Sequence, residues 1–454
     1  MNKKITILIL LVSFQISAQC WTSTASGWRH TIGIKSDGTL WAWGVNHKGQ
    51  LGDGTNTNRT IPVQIGLDTN WQSVSASEYQ SAGIKSDGTL WTWGWNFYGQ
   101  LGDGTTIDKN VPIQIGNDTD WRLISVGLTQ MNAIKIDGSL WAWGQNLSGL
   151  LGYATNLDSS TPNMVGNQTN WKIASAGLGG TICIKTDNTL WGWGSNNYGE
   201  IGNGTFNNVP YPTQIGTGSN WKTVSLSNTR FTVAIKEDGT LWTWGSNYFG
   251  QLGNGTTTHT NYPAQVGSDN NWENATANGG HILATKSNGQ LWSWGLNNFG
   301  QLGDGTTINK STPLLIGSDN DWMWGKGGGN FSNAIKDNDL LFSWGSNNYG
   351  ELGDGTTQQN YFPHQISCTP LSIIEINFND NFKIYPNPTN EILNIQSKFN
   401  LPINKIIISD VTSKIILEQT DTNKIINVGN LKAGIYFIKI EVYEGYYSSK
   451  FIKI

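Results

Sequence analysis

The chain has 454 residues with 56 Gly, 23 Trp and only 13% charged residues, so it is too aromatic for an intrinsically disordered polypeptide and long enough for a large core. Glycine well above the usual ~7% points to many tight turns between short strands. A formal charge of −4 argues against a surface built to neutralise phosphates, and no nucleic acid is expected as a partner.

Residues 1–18 open with Lys3 and Lys4, continue through the apolar run Ile5 to Val12 and end on Ser17 and Ala18. This pattern predicts a secretory signal peptide cleaved after Ala18. The apolar run is far short of the ~20 residues that cross a bilayer, and no transmembrane segment is expected in the mature chain. A lipoprotein reading would acylate Cys20, but Gln19 stands where such signals place a small residue. Removing residues 1–18 takes away two lysines and shifts the formal charge from −4 to −6.

From Trp21 the chain repeats itself. Leu40-Trp41-Ala42-Trp43-Gly44 recurs as Leu90-Trp91-Thr92-Trp93-Gly94, then with its first aromatic at Trp141, Trp191, Trp242, Trp292 and Phe342, a period of about 50. Each copy predicts four strands: a Trp-led strand (Trp71 onward), a second near Ala82–Lys85, the Trp-rich third, and a fourth near Val111–Gly116 after a Gly-rich loop. The Asp-Gly pair between the second and third strands (Asp37-Gly38, Asp87-Gly88, Asp137-Gly138, Asp238-Gly239) predicts a type I′ turn, with positive φ at both residues. It is softened to Asp187-Asn188 and Asn288-Gly289. Four short antiparallel strands in ~50 residues make one propeller blade, which buries its faces only by stacking on neighbours. Seven similarly apolar units without a polar capping repeat predict a closed ring rather than an open solenoid.

The string Ile34-Lys35-Ser36-Asp37-Gly38-Thr39-Leu40-Trp41-Ala42-Trp43-Gly44, followed by Asn46, Gly49-Gln50-Leu51-Gly52 and Gly54-Thr55, resembles the regulator of chromosome condensation repeat. The resemblance spans residues 21–366 and implies a seven-bladed β-propeller. It departs at Gly149-Leu150-Leu151-Gly152-Tyr153-Ala154-Thr155 and at Asn338-Asp339. The founding eukaryotic member exchanges nucleotide on a small GTPase and binds chromatin through an inserted β-wedge and a basic tail. The even spacing here leaves no room for the wedge and the region is acidic, so that activity is not carried over. Secreted bacterial members of the family bind proteins through one face of the ring, and that is the nearer comparison.

Within the repeats, Cys20 precedes the first strand and Cys368 follows the last. In a closed ring these ends are neighbours, so a Cys20–Cys368 disulfide is a candidate, worth ~4 kcal/mol in the chain-entropy picture. Cys183 takes a place held elsewhere by Gly33, Gly83, Ala133, Ala234, Ala284 and Ala334, which reads as a small buried residue. Asp53, Asp103, Asp304 and Asp354, with Asn203 and Asn254, read as turn formers, because ring symmetry spreads them one to a blade whereas Ca²⁺ needs several oxygens around one ion. The five histidines (His30, His47, His259, His281, His364) read as falling at unlike repeat positions, with no metal-site or nucleophile–base spacing. No metal or cofactor is expected. The paired tryptophans of each third strand read as core. The loop after each Trp-Gly varies, and His47, Trp95, Phe97, Tyr98, Tyr198, Tyr248, Phe249, Phe299 and Tyr349 form a candidate binding rim for protein or sugar rings. The alternative is that these rings pack each loop onto its own blade.

From Phe382 the composition shifts, and residues 371–454 hold 19 Ile. Alternating strands at Ile392–Ile395, Lys405–Ile408, Lys414–Leu417 and Gly434–Ile440 predict a small β-sandwich. Tyr385-Pro386-Asn387-Pro388, the segment around Gly434 and Tyr436, and the terminal Lys450-Phe451-Ile452-Lys453-Ile454 resemble the type A sorting domain of the type nine secretion system of Bacteroidetes. That resemblance implies handling by the outer-membrane secretion machinery, with attachment to the surface or release; the alternative is an accessory binding sandwich.

The sequence therefore predicts an all-β chain: a signal peptide (1–18), a seven-bladed propeller (19–368), a linker (369–381) and a sorting domain (382–454). Its expected function is that of an exported, non-catalytic binding protein at the cell surface or beyond, recognising a protein through one propeller face. Glycan recognition is the alternative, and a polysaccharide hydrolase or lyase with carboxylates in the central channel is the third.

Overall fold

A computed structural model describes residues 20–153, 155–367, 382–397, 403–410, 414–420, 424–442 and 445–454. Ala18 and the expected cleavage site, Cys368 and the 369–381 linker lie outside the described residues. The chain divides into two compact units, residues 1–368 and 369–454.

The first unit is built of seven four-stranded antiparallel sheets, each from one contiguous run with its strands in sequence order. In blade two these are Trp71–Ala76, Gln80–Lys85, Leu90–Gly94 and Lys109–Gln114. Among the described residues no strand is exchanged to close the ring. Blade seven (Trp322–Gly327 through Asn360–Ile366) instead packs directly on blade one (Trp21–Ser26 through Arg59–Gln64). The Trp21 N–H donates to Asp339 O at 3.0 Å, and Asn333 Nδ2 donates to Ser26 Oγ at 3.0 Å. Cys20, Trp21, Trp43, Leu341 and Ile366 share one apolar cluster there. Cys20 and Cys183 are buried, and the two are not bonded to each other; burial pushes the Cys183 thiol well up, as suits a core residue.

The tryptophans explain why blades stack. The second Trp of each third strand is fully buried, and its indole reaches into the preceding blade. Trp93 Nε1 donates to Gln50 O at 2.9 Å, Trp294 Nε1 to Gln251 O at 3.0 Å, and Trp43 Nε1 closes the ring on Glu351 O at 3.0 Å. The first Trp crosses the strand-one Trp edge to face, with Trp71 and Trp91 at 6.2 Å, and Lys85 Nζ sits 3.8 Å from the Trp91 ring. Its indole N–H donates to Thr89 Oγ1, which in turn donates to Asp87 Oδ1 at 2.7 Å. In blade seven Leu340 and Phe342 replace the Thr and the Trp together, so no N–H there needs an acceptor.

The turn between the second and third strands differs from the expected type I′. Only Gly88 is left-handed (φ +78), and its N–H donates to Lys85 O at 2.9 Å while the Lys85 N–H donates to Thr89 O at 3.1 Å. This is a three-residue loop, a type I turn followed by one left-handed residue, which asks for a single glycine and leaves Asp87 free to bond Thr89. Asn188 (φ +61) and Asp339 (φ +62) take the glycine's place in blades four and seven. Asp339→Gly should therefore raise the unfolding midpoint in urea, a gain of about 0.5–1 kcal/mol from relieving a left-handed side chain, with an unchanged m value.

The second unit is a β-sandwich. Phe382–Tyr385, Ile392–Ser397 and Ile425–Asn427 form one sheet, and Ile415–Gln419, Lys405–Asp410, Gly434–Val442 and Gly445–Lys453 the other. Leu393, Ile395 and Ile426 of the first share a core with Ile406, Ile438 and Phe451 of the second. The sorting-motif residues converge on the last strand. Asn387, between Pro386 and Pro388, receives the Ile452 N–H on Oδ1 at 2.9 Å and donates to Lys450 O at 3.1 Å. Gly434 pairs with Lys453, Tyr436 stacks on Phe451 at 5.7 Å, and Tyr385 is half exposed.

Candidate functional site

The rim loops are rigid because a buried asparagine wires each one. In blade two Asn96 accepts the Leu101 N–H at 2.9 Å and donates to Asp103 Oδ1 at 3.0 Å and Thr105 O at 3.1 Å. Asp103 receives the Thr105 N–H and pairs with Lys109 at 3.1 Å; burial pushes its carboxyl up, but these bonds outweigh burial and hold it below the ordinary range. The recurring aspartates thus act within turns. Among the described residues no three metal-binding side chains cluster.

This wiring fixes two adjacent positions differently. The residue before the loop glycine is half-buried (Tyr98, Tyr198, Phe249, Phe299, Tyr349), with its N–H on a Gln or Glu two residues on. The residue one earlier is exposed: His47, Phe97 at 65% and Tyr248 at 61%. Packing claims the first position and solvent the second.

The rings gather into two clusters instead of one continuous rim. Across blades seven, one and two, Arg29 Nη1 donates to the Tyr349 hydroxyl at 3.2 Å with its guanidinium 4.9 Å from that ring, and His47 lies 6.3 Å from it. Tyr79 continues the cluster to Trp95 at 6.1 Å, and Trp95 lies parallel to Phe97 at 6.4 Å and against Tyr98 at 5.6 Å. Burial and Glu78 push the Tyr79 hydroxyl up, with Arg29 opposing. Across blades four and five, Tyr198, Tyr248 and His259 meet, the last two at 4.5 Å, under Arg230 at 5.5 Å. Phe249 packs beside Gly280, and Phe299 joins neither cluster.

The sequence reading missed Arg29, Arg230, Glu200 and Glu351. The signal was present: Ser195-Asn196-Asn197-Tyr198-Gly199-Glu200 and Ser346-Asn347-Asn348-Tyr349-Gly350-Glu351 are identical hexapeptides with Glu where most copies have Gln, and the next blade supplies an arginine to each. Glu200 is fully buried and pairs with Arg230 at 3.3 Å; burial raises its pKa against that pull. Arg230 holds a left-handed φ of +65 in a turn one residue longer than its counterparts.

The expectation for the histidines needs correction. His30 and His281 occupy the same repeat position, the first residue of the second strand. Each bonds a serine of the next blade (Ser81, Ser332), and burial lowers each pKa to about 3, so they are neutral core residues. The central cavity, about 240 Å³, is lined by small side chains such as Ala25, Ser75, Ser125, Ser175 and Thr276 with one charge, Lys326. Its lining carries no carboxylate, so the hydrolase reading lacks its paired acids there.

Residues 15–332 match the model of the RCC1-like domain, residues 338–376 that of the regulator of chromosome condensation (RCC1) repeat, and residues 383–454 that of the secretion system C-terminal sorting domain. The chain is 42% identical over 53 residues to the ultraviolet-B receptor UVR8 of Arabidopsis thaliana, a stretch covering 12% of each protein. Among solved structures, Prp20p of Saccharomyces cerevisiae is similar with a TM-score of 0.66 at 17% identity, covering 81% of this chain and 90% of that one. Human WBSCR16 gives 0.65 at 19% identity, covering 72% and 94%. At such identities the likeness is one of fold.

Proposed function

The chain belongs to the RCC1-like domain family and carries a type IX sorting tail, and from that premise we propose that it is an exported binding propeller that recognises a protein at the cell surface or beyond. The observation that carries this reading is the pair of aromatic–arginine clusters on the face of the rim loops, each presenting an exposed ring (Phe97, Tyr248) on a half-buried, hydrogen-bonded base. Rigid aromatics and arginine are the side chains that dominate protein interfaces, since they bury much area at little entropic cost. Signal-peptide removal after Ala18 and a Cys20–Cys368 disulfide belong to the same reading.

Phe97 and Tyr248 lie outside the core, so their removal separates binding from stability. The mature full-length protein should bind saturably to an extract of neighbouring cell surfaces, measured by biolayer interferometry. Phe97→Ala with Tyr248→Ala should weaken binding at least tenfold while leaving the unfolding midpoint in place. Protease treatment of the extract should abolish binding and periodate should spare it. Loss on periodate alone would make the ligand a glycan, and unchanged binding by the double variant would remove this face as the site.

A further inference from the structure

The innermost strands carry a second chemistry. At their fifth position blades two to six place Ser75, Ser125, Ser175, Ser225 and Thr276, and these hydroxyls stitch the ring from inside. Ser75 Oγ accepts the Val126 N–H at 3.1 Å, Ser125 Oγ the Ala176 N–H at 2.9 Å and Ser175 Oγ the Leu226 N–H at 2.9 Å. With each oxygen used as an acceptor, the O–H remains as a donor, and for these three serines no acceptor for it is found among the described residues. Blade seven breaks the pattern with Lys326, which lines both the central cavity and a second one bounded by Thr22, Asn274 and Trp324. Among the described residues the Lys326 ammonium has no hydrogen bond and no carboxylate partner; it lies 5.6 Å from the Trp324 ring. Burial lowers its pKa, as expected of a cation without a counter-charge.

One end of the channel is laced shut. Asn228 Nδ2 crosses from blade five to Ser77 Oγ of blade two at 3.0 Å, and Asn278 Nδ2 reaches Ser26 O at 3.1 Å. The opposite mouth is ringed by the second residue of each innermost strand, which includes Arg122, Lys172 and Lys222; Lys172 lies 4.0 Å from Glu237 and Lys222 pairs with Glu273, which leaves Arg122 as the cation of the three without a carboxylate pair among the described residues. Arg122 runs along this rim to Trp171 O at 3.2 Å, and Lys222 to Glu273 at 2.8 Å. A mouth with one cation in excess, on a chain of net negative charge, leads to an uncompensated ammonium among hydroxyl donors.

We propose that this channel binds a small monoanionic carboxylate, its charge on Lys326 and its oxygens on the serine hydroxyls. One lysine neutralises one negative charge, so a phosphate dianion would stay half-compensated there. The volume, below the ~300 Å³ of ordinary ligand pockets, favours a guest smaller than a drug-sized ligand. This site is independent of the rim clusters, and its failure would leave the protein-binding reading untouched.

The test uses the mature full-length protein with sodium acetate, sodium phosphate and acetamide as probes, titrated by calorimetry. Acetate should bind saturably and at least tenfold more tightly than either of the others. Lys326→Ser, which installs the residue of four other blades, should weaken acetate at least tenfold, and Arg122→Gln with Lys172→Gln a few-fold, in a salt-dependent way. In the unsubstituted protein, saturating acetate should slow acylation of the Lys326 amine, followed by peptide mass spectrometry, at least fivefold. Equal binding of acetamide, tighter binding of phosphate, undiminished binding by Lys326→Ser, or no protection of Lys326 would each overturn the proposal.

Discussion

Trp294→Ala is expected to lower stability by about 3–5 kcal/mol, the range for emptying a fully buried aromatic site. The indole is wholly inside, spans the seam between blades five and six, and leaves Gln251 O without its donor when removed. Gly253 is the other half of the same contact. It holds φ +70, and a Cβ added there would lie 2.7 Å from Trp294 Nε1 and 3.1 Å from Cδ1. Gly253→Ala should cost about 2–4 kcal/mol, part from the left-handed backbone and part from overpacking against the ring. The two costs are coupled. With the indole gone the new methyl has room, so the double variant should lose about 1–3 kcal/mol less than the sum of the singles, while the backbone part persists. Urea unfolding of the four proteins measures this directly, and strict additivity would show that the glycine is there for its backbone alone.

That contact also explains which parts of the molecule were legible in sequence. The Trp of one blade and the Gly of its neighbour recur together because each blade can bury its face only on the next, so the ~50-residue period carried the architecture, and ring closure followed from the absence of distinct end repeats. The turn type was not legible. An Asp-Gly pair satisfies both a two-residue type I′ turn and a three-residue loop with one left-handed residue, and the choice rests on whether Lys85 pairs with Thr89, a matter of register. At the rim the residue types pointed to a surface, but two neighbours such as Phe97 and Tyr98 divide between solvent and packing only once Gln100 has fixed the backbone between them. Lys326 was hidden differently: its position carries Ala, Ser or Thr in every other copy, and its isolation shows only when the seven innermost strands face one another.

Arg230→Met should destabilise the protein by about 2–3 kcal/mol at neutral pH, because it strips the partner from a carboxylate that has no exposed surface. Arg230 is itself about a quarter exposed, which holds the loss to the low end of that for a buried pair. The pH dependence identifies the cause. Burial raises the Glu200 pKa above its ordinary 4.5, so the folded state holds this proton more tightly than the unfolded chain. Stability contributed at this position is therefore greatest below pH 4.5, falls as pH rises through the folded value, and is level above it. Removing Arg230 pushes the folded value higher and widens that window. Glu200→Gln abolishes it, and the fold accepts the amide because Gln50, Gln100, Gln251 and Gln301 already receive the same backbone N–H. The single Glu200→Gln variant should match or exceed the parent above pH 5 to within about 1 kcal/mol, since only the partly exposed arginine loses a partner. In the double variant the cost of Arg230→Met should largely vanish, because no buried charge remains to be stranded. If Arg230→Met costs as much at pH 4 as at pH 7, the arginine holds this seam by packing over Tyr198 rather than by charge.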